Sequence, residues 1–446
     1  MPTSSAGCQI RATSKDISKS SSELTFLLII QLIERLKMKL YCKDKNFKLY
    51  EGSMLDMLDV IEPASIDSII TDPPYELGFM SKSWDSSGIA FQPETWAKCL
   101  SVLKSGGYLL AFGGSRTFHR IACAIEDAGF EIRDVIMWLY GSGFPKSMNI
   151  GLAIDRKNGI ESEVIGMQKS GTTSNALFSE DSFSTAGQYE LKKARNEWDG
   201  WGTALKPAYE PIIVARKPCE SSCVDNVLKY GTGGLNIKDC KIGDDIVKTQ
   251  GKKKTDTFFG MLGECEESEH LGRYPSNVIL TYDDTDKNEV CSGMPSDANG
   301  SASRYFYCAK ASTKDRDEGL EKFKAEKRTD EHLRANAETA RIFGANSAPT
   351  KNVHPTVKPT ELMQYLVRLV NPKGATILDC FNGSGSTGKA VMLENVERER
   401  EYQYIGIELT PEYLPIAEAR IRWAQNYKGE SFEQANPAQV TMFDLL

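Results

Sequence analysis

The sequence predicts an α/β fold, a doubly wound and mostly parallel sheet covered on both faces, with a further segment inserted between its two halves. Two observations predict it. Short apolar runs alternate with stretches of helical spacing over residues 47–140 and again over 375–427, the pattern of strands and crossover helices in a buried sheet. Between these blocks, residues 217–350 lose the alternation and mix cations, aromatics and turn residues.

In chain order, Phe47-Lys48-Leu49-Tyr50-Glu51-Gly52 reads as a strand and Met54 to Ile61 as a short helix. Ile66-Asp67-Ser68-Ile69-Ile70 is a buried strand that runs into Thr71-Asp72-Pro73-Pro74-Tyr75. The two prolines stop it, so Asp72 falls at a strand's carboxyl end, where open α/β sheets place their ligands. Glu76 to Phe91 has no clear period and predicts a mobile loop over that end. Pro93 to Leu103 is helical, Gly106-Gly107 turns into the strand Tyr108–Phe112, Thr117 to Asp127 is helical, and Glu131 to Tyr140 is a strand. From Gly141 to about Lys206 Gly, Ser, Thr and Asn dominate, which predicts a loop insertion. Tyr209 to Arg216 restores a strand, with Pro211 marking an edge or a bulge.

The 446 residues allow two to three domains. Hydrophobic, charged and aromatic shares of 40, 26 and 9 per cent fit a globular chain. The net charge of −7 argues against a nonspecific nucleic-acid coat and leaves room for a local basic face. Eleven scattered cysteines point to free thiols in a reducing compartment. The Ser/Thr-rich beginning and the run Leu24–Ile33, too short for a span and without a cleavage site before Glu34-Arg35-Leu36-Lys37, predict that Met38 is the natural start and that 1–37 is a dispensable tail.

Asp72 and Pro73 carry the first chemical reading. A carboxylate beside a carbonyl whose own residue has no N–H offers two acceptors to an amino group with two hydrogens. Tyr75 adds a flat face for an extruded base. The second motif is the strand Ala375–Phe381, the glycine turn Asn382-Gly383-Ser384-Gly385-Ser386-Thr387-Gly388 and the helix after it. Glycines permit close backbone approach, and the helix start presents free N–H groups. A P-loop is excluded because no Gly-Lys-Ser/Thr closes the turn. One strand later, Tyr404-Ile405-Gly406-Ile407-Glu408 ends in an acid placed for two ribose hydroxyls.

The pair TDPPY and ILDCFNGSGSTG, with HPTVKP before the second, resembles the amino-methylating DNA methyltransferases of the permuted β type. GSGFPKS at 141–147 and KPAYEPIIVARKP at 206–218 resemble a phage or prophage branch of them. The resemblance implies the circularly permuted methyltransferase sheet, with a catalytic half at 38–216, a target-recognition domain at 217–350 and a cofactor half at 351–446. It implies S-adenosylmethionine as cofactor. Asp379, Phe381, Asn382, Gly383, Ser384, Gly385 and Thr387 would shape its pocket, Glu408 would hold its ribose, and Thr356 and Lys358 would flank its methionine end. Asp72, Pro73, Pro74 and Tyr75 would receive the base. Where that family often has Gly-Asp after the first strand, this chain has Gly52-Ser53, so Ser53 stands at the adenine end and recognition of the cofactor's adenine passes to the backbone or to Asp72.

The implied partner is double-stranded DNA in the cytoplasm of a bacterial or phage-infected cell, with no membrane. A second copy of the chain and a cognate restriction enzyme are further partners the resemblance admits. The initial Asp of the first motif tilts the target to adenine N-6, with cytosine N-4 as the alternative and a catalytically silent DNA-binding homologue behind it. Carbon-5 methylation would need a thiolate beside the glycine turn's partner, and Cys219 follows a different strand. Cys219, Cys223, Cys240, Cys265 and His270 are too irregularly spaced to predict a zinc site.

Overall fold

The computed structural model describes residues 39–77, 83–140, 147–169, 188–205, 207–249, 268–281, 306–307, 311–325 and 350–428. The chain divides between Lys39 and Leu40 into two units. Apart from Lys39, everything below concerns the second, and the expected tail lies outside the described residues.

Fourteen strands are described: β1 (Lys39–Lys43), β2 (Phe47–Glu51), β3 (Ile66–Thr71), β4 (Leu103–Phe112), β5 (Glu131–Tyr140), β6 (Glu163–Lys169), β7 (Gln188–Lys193), β8 (Tyr209–Arg216), β9 (Ile242–Thr249), β10 (Ser268–Arg273), β11 (Val278–Thr281), β12 (Phe306–Tyr307), β13 (Thr376–Asp379) and β14 (Gln403–Glu408). Ten of them make one sheet in the order β1-β2-β14-β13-β3-β4-β8-β5-β11-β12. β2, β14, β13, β3 and β4 are parallel neighbours. β8 is antiparallel to both β4 and β5, and β11 and β12 continue parallel to β5.

The permuted order is directly visible in the register. Ile377 of β13 pairs with Ser68 of β3, and Leu378 with Ile69, so strands about 300 residues apart in sequence lie side by side. Alternation explains why both faces bury. Ile70, Leu110, Phe112, Ile212, Val214 and Ile377 share one core with the helices Thr360–Val370, Ser386–Arg398 and Leu414–Gln425. Ile69, Leu109, Ala111 and Leu378 point the other way and are equally buried, as are Trp96, Cys99, Ile121 and Ile125 of the helices Pro93–Val102 and Phe118–Asp127.

Two sequence expectations change. Pro211 does not mark an edge or bulge, because β8 is an interior strand. Its carbonyl accepts from Gly113 N at 2.9 Å, just past the end of β4. The missing N–H therefore costs a ladder bond only where that ladder is already finishing. Gly106-Gly107, expected as a turn, lie inside β4, where the pairing with β3 shifts between Ile66 and Ser68. A side chain on Gly107 would press on the Asp67 carbonyl at 2.9 Å, so the irregular register requires the glycine.

Where the sequence pattern fades at 141–206, the described part holds a helix, Ile150–Lys157, and the antiparallel hairpin β6–β7. The buried Asp155 pins them together, accepting from Asn196 Nδ2 at 2.7 Å and Arg195 N at 2.8 Å. Within 217–350, the short helix Thr313–Asp317 attaches to the rear of the chain. Asp317 accepts from Thr350, Lys351 and Asn352, and Asp315 and Glu318 each pair with the fully buried Lys389 at 2.7 Å. Among the described residues no helix is long and apolar enough to cross a membrane.

Candidate active site

One cavity of about 1030 Å³ opens at the carboxyl ends of β3, β13 and β14. Asp72, Pro73, Pro74, Tyr75, Ser53, Thr356, Lys358, Asp379, Phe381, Asn382, Gly383, Ser384, Thr387 and Glu408 all line it. Of the sequence-predicted site residues only Gly385 does not. Gly385 has φ +74° as the cap of the helix Ser386–Arg398, and a side chain there would meet Ala417 at 3.0 Å. Its work is to let that helix turn in against its neighbour.

At one end, the Asp72 motif is held by a buried charge cluster. Lys358 Nζ lies 2.9 Å from Asp72 Oδ2, 3.1 Å from Glu210 Oε2 and 3.0 Å from the Tyr75 hydroxyl oxygen. The Tyr75 hydroxyl donates to Glu210 Oε2 at 3.0 Å, and that of Tyr140 donates to Glu210 Oε1 at 3.4 Å. Asp72 Oδ1 is buried and has no hydrogen-bond partner. Burial raises the Asp72 pKa, the Lys358 charge opposes that rise, and the Glu210 charge adds to it. Burial alone would lower the pKa of Lys358, but Asp72 and Glu210 together raise it, so the ammonium is kept.

Tyr75 is thus fixed by its hydroxyl, while its ring has room beside Gly114, where a side chain would stand 3.2 Å from the ring carbon Cδ2. Beyond it, the loop predicted to be mobile is stapled in its described part. Asp85 accepts from Glu76 N and Leu77 N at 3.0 and 3.2 Å, and Glu76 accepts from Gly88 N at 2.8 Å.

At the other end, Asp379 ties the glycine turn to the catalytic strand. It accepts from Thr71 Oγ1 at 2.7 Å, Thr387 Oγ1 at 2.6 Å and Phe381 N at 3.1 Å. Glu408 accepts from Gly383 N at 2.6 Å and Thr410 N at 2.8 Å. Burial pushes Asp379 up to about 6 and Glu408 up to about 7, each partly held back by these bonds. Asn382 is set by Tyr404, whose hydroxyl donates to its Oδ1 at 2.8 Å. Ser53 caps the helix Met54–Leu58 and accepts from Leu55 N at 3.2 Å. Thr356 is exposed at the rim.

Sequence reasoning assigned no role to Glu210, Tyr140, Thr71 or His354. The first two sit at the site because β8 runs antiparallel beside β4 and β5, a register no local pattern announces. His354 packs its ring edge-on against Tyr413 at 4.5 Å and beside Gly383, both on the cavity wall. Of the cysteines, Cys219 and Cys223 both stand beside Gly233, Cys240 is buried near Arg368, and Cys265 lies outside the described residues. Among the described residues no cluster of three or more His, Cys, Asp or Glu could hold a metal ion.

The family model described as DNA methylase, of the N6/N4 class, matches residues 66–419. That is more than three quarters of the chain. The chain belongs to the N6/N4 DNA methylase family. Among curated relatives of this chain, the type II methyltransferase M.HindIII of Haemophilus influenzae is 26% identical over 147 residues, which are 32% of this chain and 37% of that protein. M2.LlaDCHI of Lactococcus lactis subsp. cremoris is 24% identical over 246 residues, 48% of this chain and 88% of that protein. The chain thus spans well under half the length of the first of these relatives. Among solved structures, the cytosine-N4-specific PvuII DNA methyltransferase has a TM-score of 0.41 at 13% identity, over 86% of this chain and 90% of that one.

The cofactor of this methylase family is S-adenosylmethionine. The residues of the cavity fit it. A glycine turn opens a 13-residue helix whose cap makes no side-chain bond, and an acid from the adjoining strand ends on the same wall. This is the arrangement that suits a nucleoside and its ribose hydroxyls.

Proposed function

We propose that this chain methylates DNA at the exocyclic amino group, N-6, of an adenine turned out of the duplex. The observation that carries this reading is the open Asp72 Oδ1, a buried acceptor in the same cavity as the glycine turn and Glu408. An adenine amino nitrogen is a weak nucleophile because its lone pair is delocalised into the ring. Asp72 and the Pro73 carbonyl accept its two hydrogens and favour a pyramidal nitrogen with the lone pair freed. Phe381, Asn382, Gly383 and Glu408 would hold the nucleoside end of S-adenosylmethionine, which when bound would supply a methyl group on a sulfonium and depart as the neutral thioether. Asp72 and Pro73 act by positioning and preorganised electrostatics: they would aim the lone pair at that methyl group, and Asp72 Oδ1 would receive the proton that the nitrogen loses as its new bond to carbon forms. Tyr75, its hydroxyl fixed, holds the flipped base against its ring.

The division of labour follows the chain: 38–216 supplies the amino-group acceptors, 351–446 the cofactor wall, and 217–350 reads the duplex. Asp72 in place of the Ser seen in other members favours adenine over cytosine N-4. Purified protein, labelled S-adenosylmethionine and unmodified genomic DNA test the reading, with the DNA digested to nucleosides afterwards. N6-methyl-2′-deoxyadenosine is the expected product. N4-methylcytosine would move the target to cytosine, and no label in DNA would overturn the reading.

A further inference from the structure

We propose that Glu210 is a positioning residue for methyl transfer: it takes up the Lys358 ammonium and the Tyr75 hydroxyl so that one oxygen of Asp72 stays open to the target amino group. This rests on the methyltransferase reading above and adds a residue to it.

The count of donors and acceptors carries the inference. An ammonium has three N–H donors, and Lys358 has three acceptors in reach, Asp72 Oδ2, the Tyr75 oxygen and Glu210 Oε2, all between 2.9 and 3.1 Å. Tyr75 then spends its own hydrogen on Glu210. Tyr75 also interacts with the Asp72 carboxylate, yet none of these donors reaches its Oδ1, which is buried and unsatisfied. Unpaired buried acceptors are costly and are kept where a ligand completes them. Without the Glu210 charge, an ammonium between two carboxylates becomes an ammonium on one, free to swing across both oxygens of Asp72. The acceptor the amino group needs would then be occupied.

Glu210 is delivered by β8, whose antiparallel register puts it opposite Trp138 of β5. Tyr140, also from β5, braces its other oxygen. The groups that face Asp72 are therefore Tyr75 from its own segment, Lys358 from the loop before the helix Thr360–Val370, Glu210 from β8 and Asp379 from β13. Two of these are acids that disfavour the Asp72 charge, so removing the Glu210 charge makes Asp72 more acidic and a poorer acceptor.

The test is single-turnover methyl transfer across pH with the full-length chain. In Glu210→Gln the rate should fall about tenfold or more, as for a misplaced acceptor. S-adenosylmethionine affinity should stay within about twofold, because the hydrogen bonds that build the Gly383 and Glu408 wall do not involve Glu210. The acidic limb of the rate profile should move to lower pH. A Gln variant with the wild-type rate and limb overturns the proposal. So does a slower variant whose limb has not moved, since that is a packing defect alone. Should the Gln chain not fold, Glu210→Asp decides the matter. Keeping the charge but not the reach, it should be slower at an unshifted limb with an unchanged melting temperature; a wild-type rate, or a rate loss accompanied by a loss of stability, would overturn the proposal. Absence of transfer by the wild-type chain would instead sink the methyltransferase reading itself.

Discussion

The Thr71 hydroxyl donates to Asp379 Oδ1 at 2.7 Å, joining residues 308 positions apart at the ends of two adjacent parallel strands. The hydroxyl oxygen of Thr71 in turn accepts from Phe381 N at 3.2 Å. One small side chain thus fixes the distance between the strand that presents Asp72 and the turn that forms the cofactor wall. Thr71→Val keeps the shape and removes both bonds inside a fully buried site. It should cost about 1–3 kcal/mol in urea unfolding and weaken S-adenosylmethionine binding measured by calorimetry. Unchanged stability and affinity would show that strand pairing alone sets the spacing.

Asp72→Ala separates binding from chemistry. The carboxylate contacts only Lys358 among the charges that hold the cluster, and the cofactor wall is made by other residues. Methyl transfer should fall by about 100-fold or more, while cofactor affinity measured on the same preparation stays within a few-fold. Measurable turnover near the wild-type rate would remove Asp72 from the reaction.

Why these two ends were legible in the sequence, and the cluster between them was not, is a matter of range. Ile66–Thr71 followed by two prolines, and Ala375–Phe381 followed by glycines, are local patterns whose chemistry sits at a strand end. The pairing of Ile377 with Ser68 follows once both strands are assigned to a doubly wound sheet. Glu210 carries no such signal. An acid at the second position of an apolar strand is ordinary, and only the antiparallel insertion of β8 between β4 and β5 brings it to Lys358 and Tyr75. The same insertion hid the interior place of Pro211. Lys358 was legible as part of a motif, but not its grip on Asp72, because a side chain's reach depends on where its loop is anchored. That anchor is the Asp315 and Asp317 network, from a segment with no visible period.

Burial of the two cofactor-wall acids makes stability fall with rising pH. Asp379 at about 6 and Glu408 at about 7 sit above their ordinary values of 3.8 and 4.5. The folded chain therefore holds protons that the unfolded chain has released. Their contribution is fully present below the unfolded values and is lost as pH rises through 6 and then 7. The melting temperature of cofactor-free protein should drop between pH 5 and 7.5, and Glu408→Gln should flatten the upper part of that slope. An identical slope in both chains would assign it to other groups.

Gly388→Ala sets two effects of opposite sign against each other. In a helix interior, alanine gains about 1 kcal/mol over glycine. Here the added carbon would lie 2.5 Å from Ile421 Cδ1 and 2.6 Å from Tyr404 Cε1, and overpacking of that kind costs about 1–3 kcal/mol. The end of Ile421 can rotate away. The Tyr404 ring cannot move freely, because its hydroxyl holds Asn382 at 2.8 Å, and Asn382 in turn bonds the Gly383 carbonyl at 3.1 Å. The clash should win, lowering the melting temperature by a few degrees and passing through Tyr404 to the glycine turn as weaker S-adenosylmethionine binding. A variant more stable than the parent, with unchanged affinity, would mean that Ile421 and Tyr404 yield together and that the turn does not depend on the ring behind it.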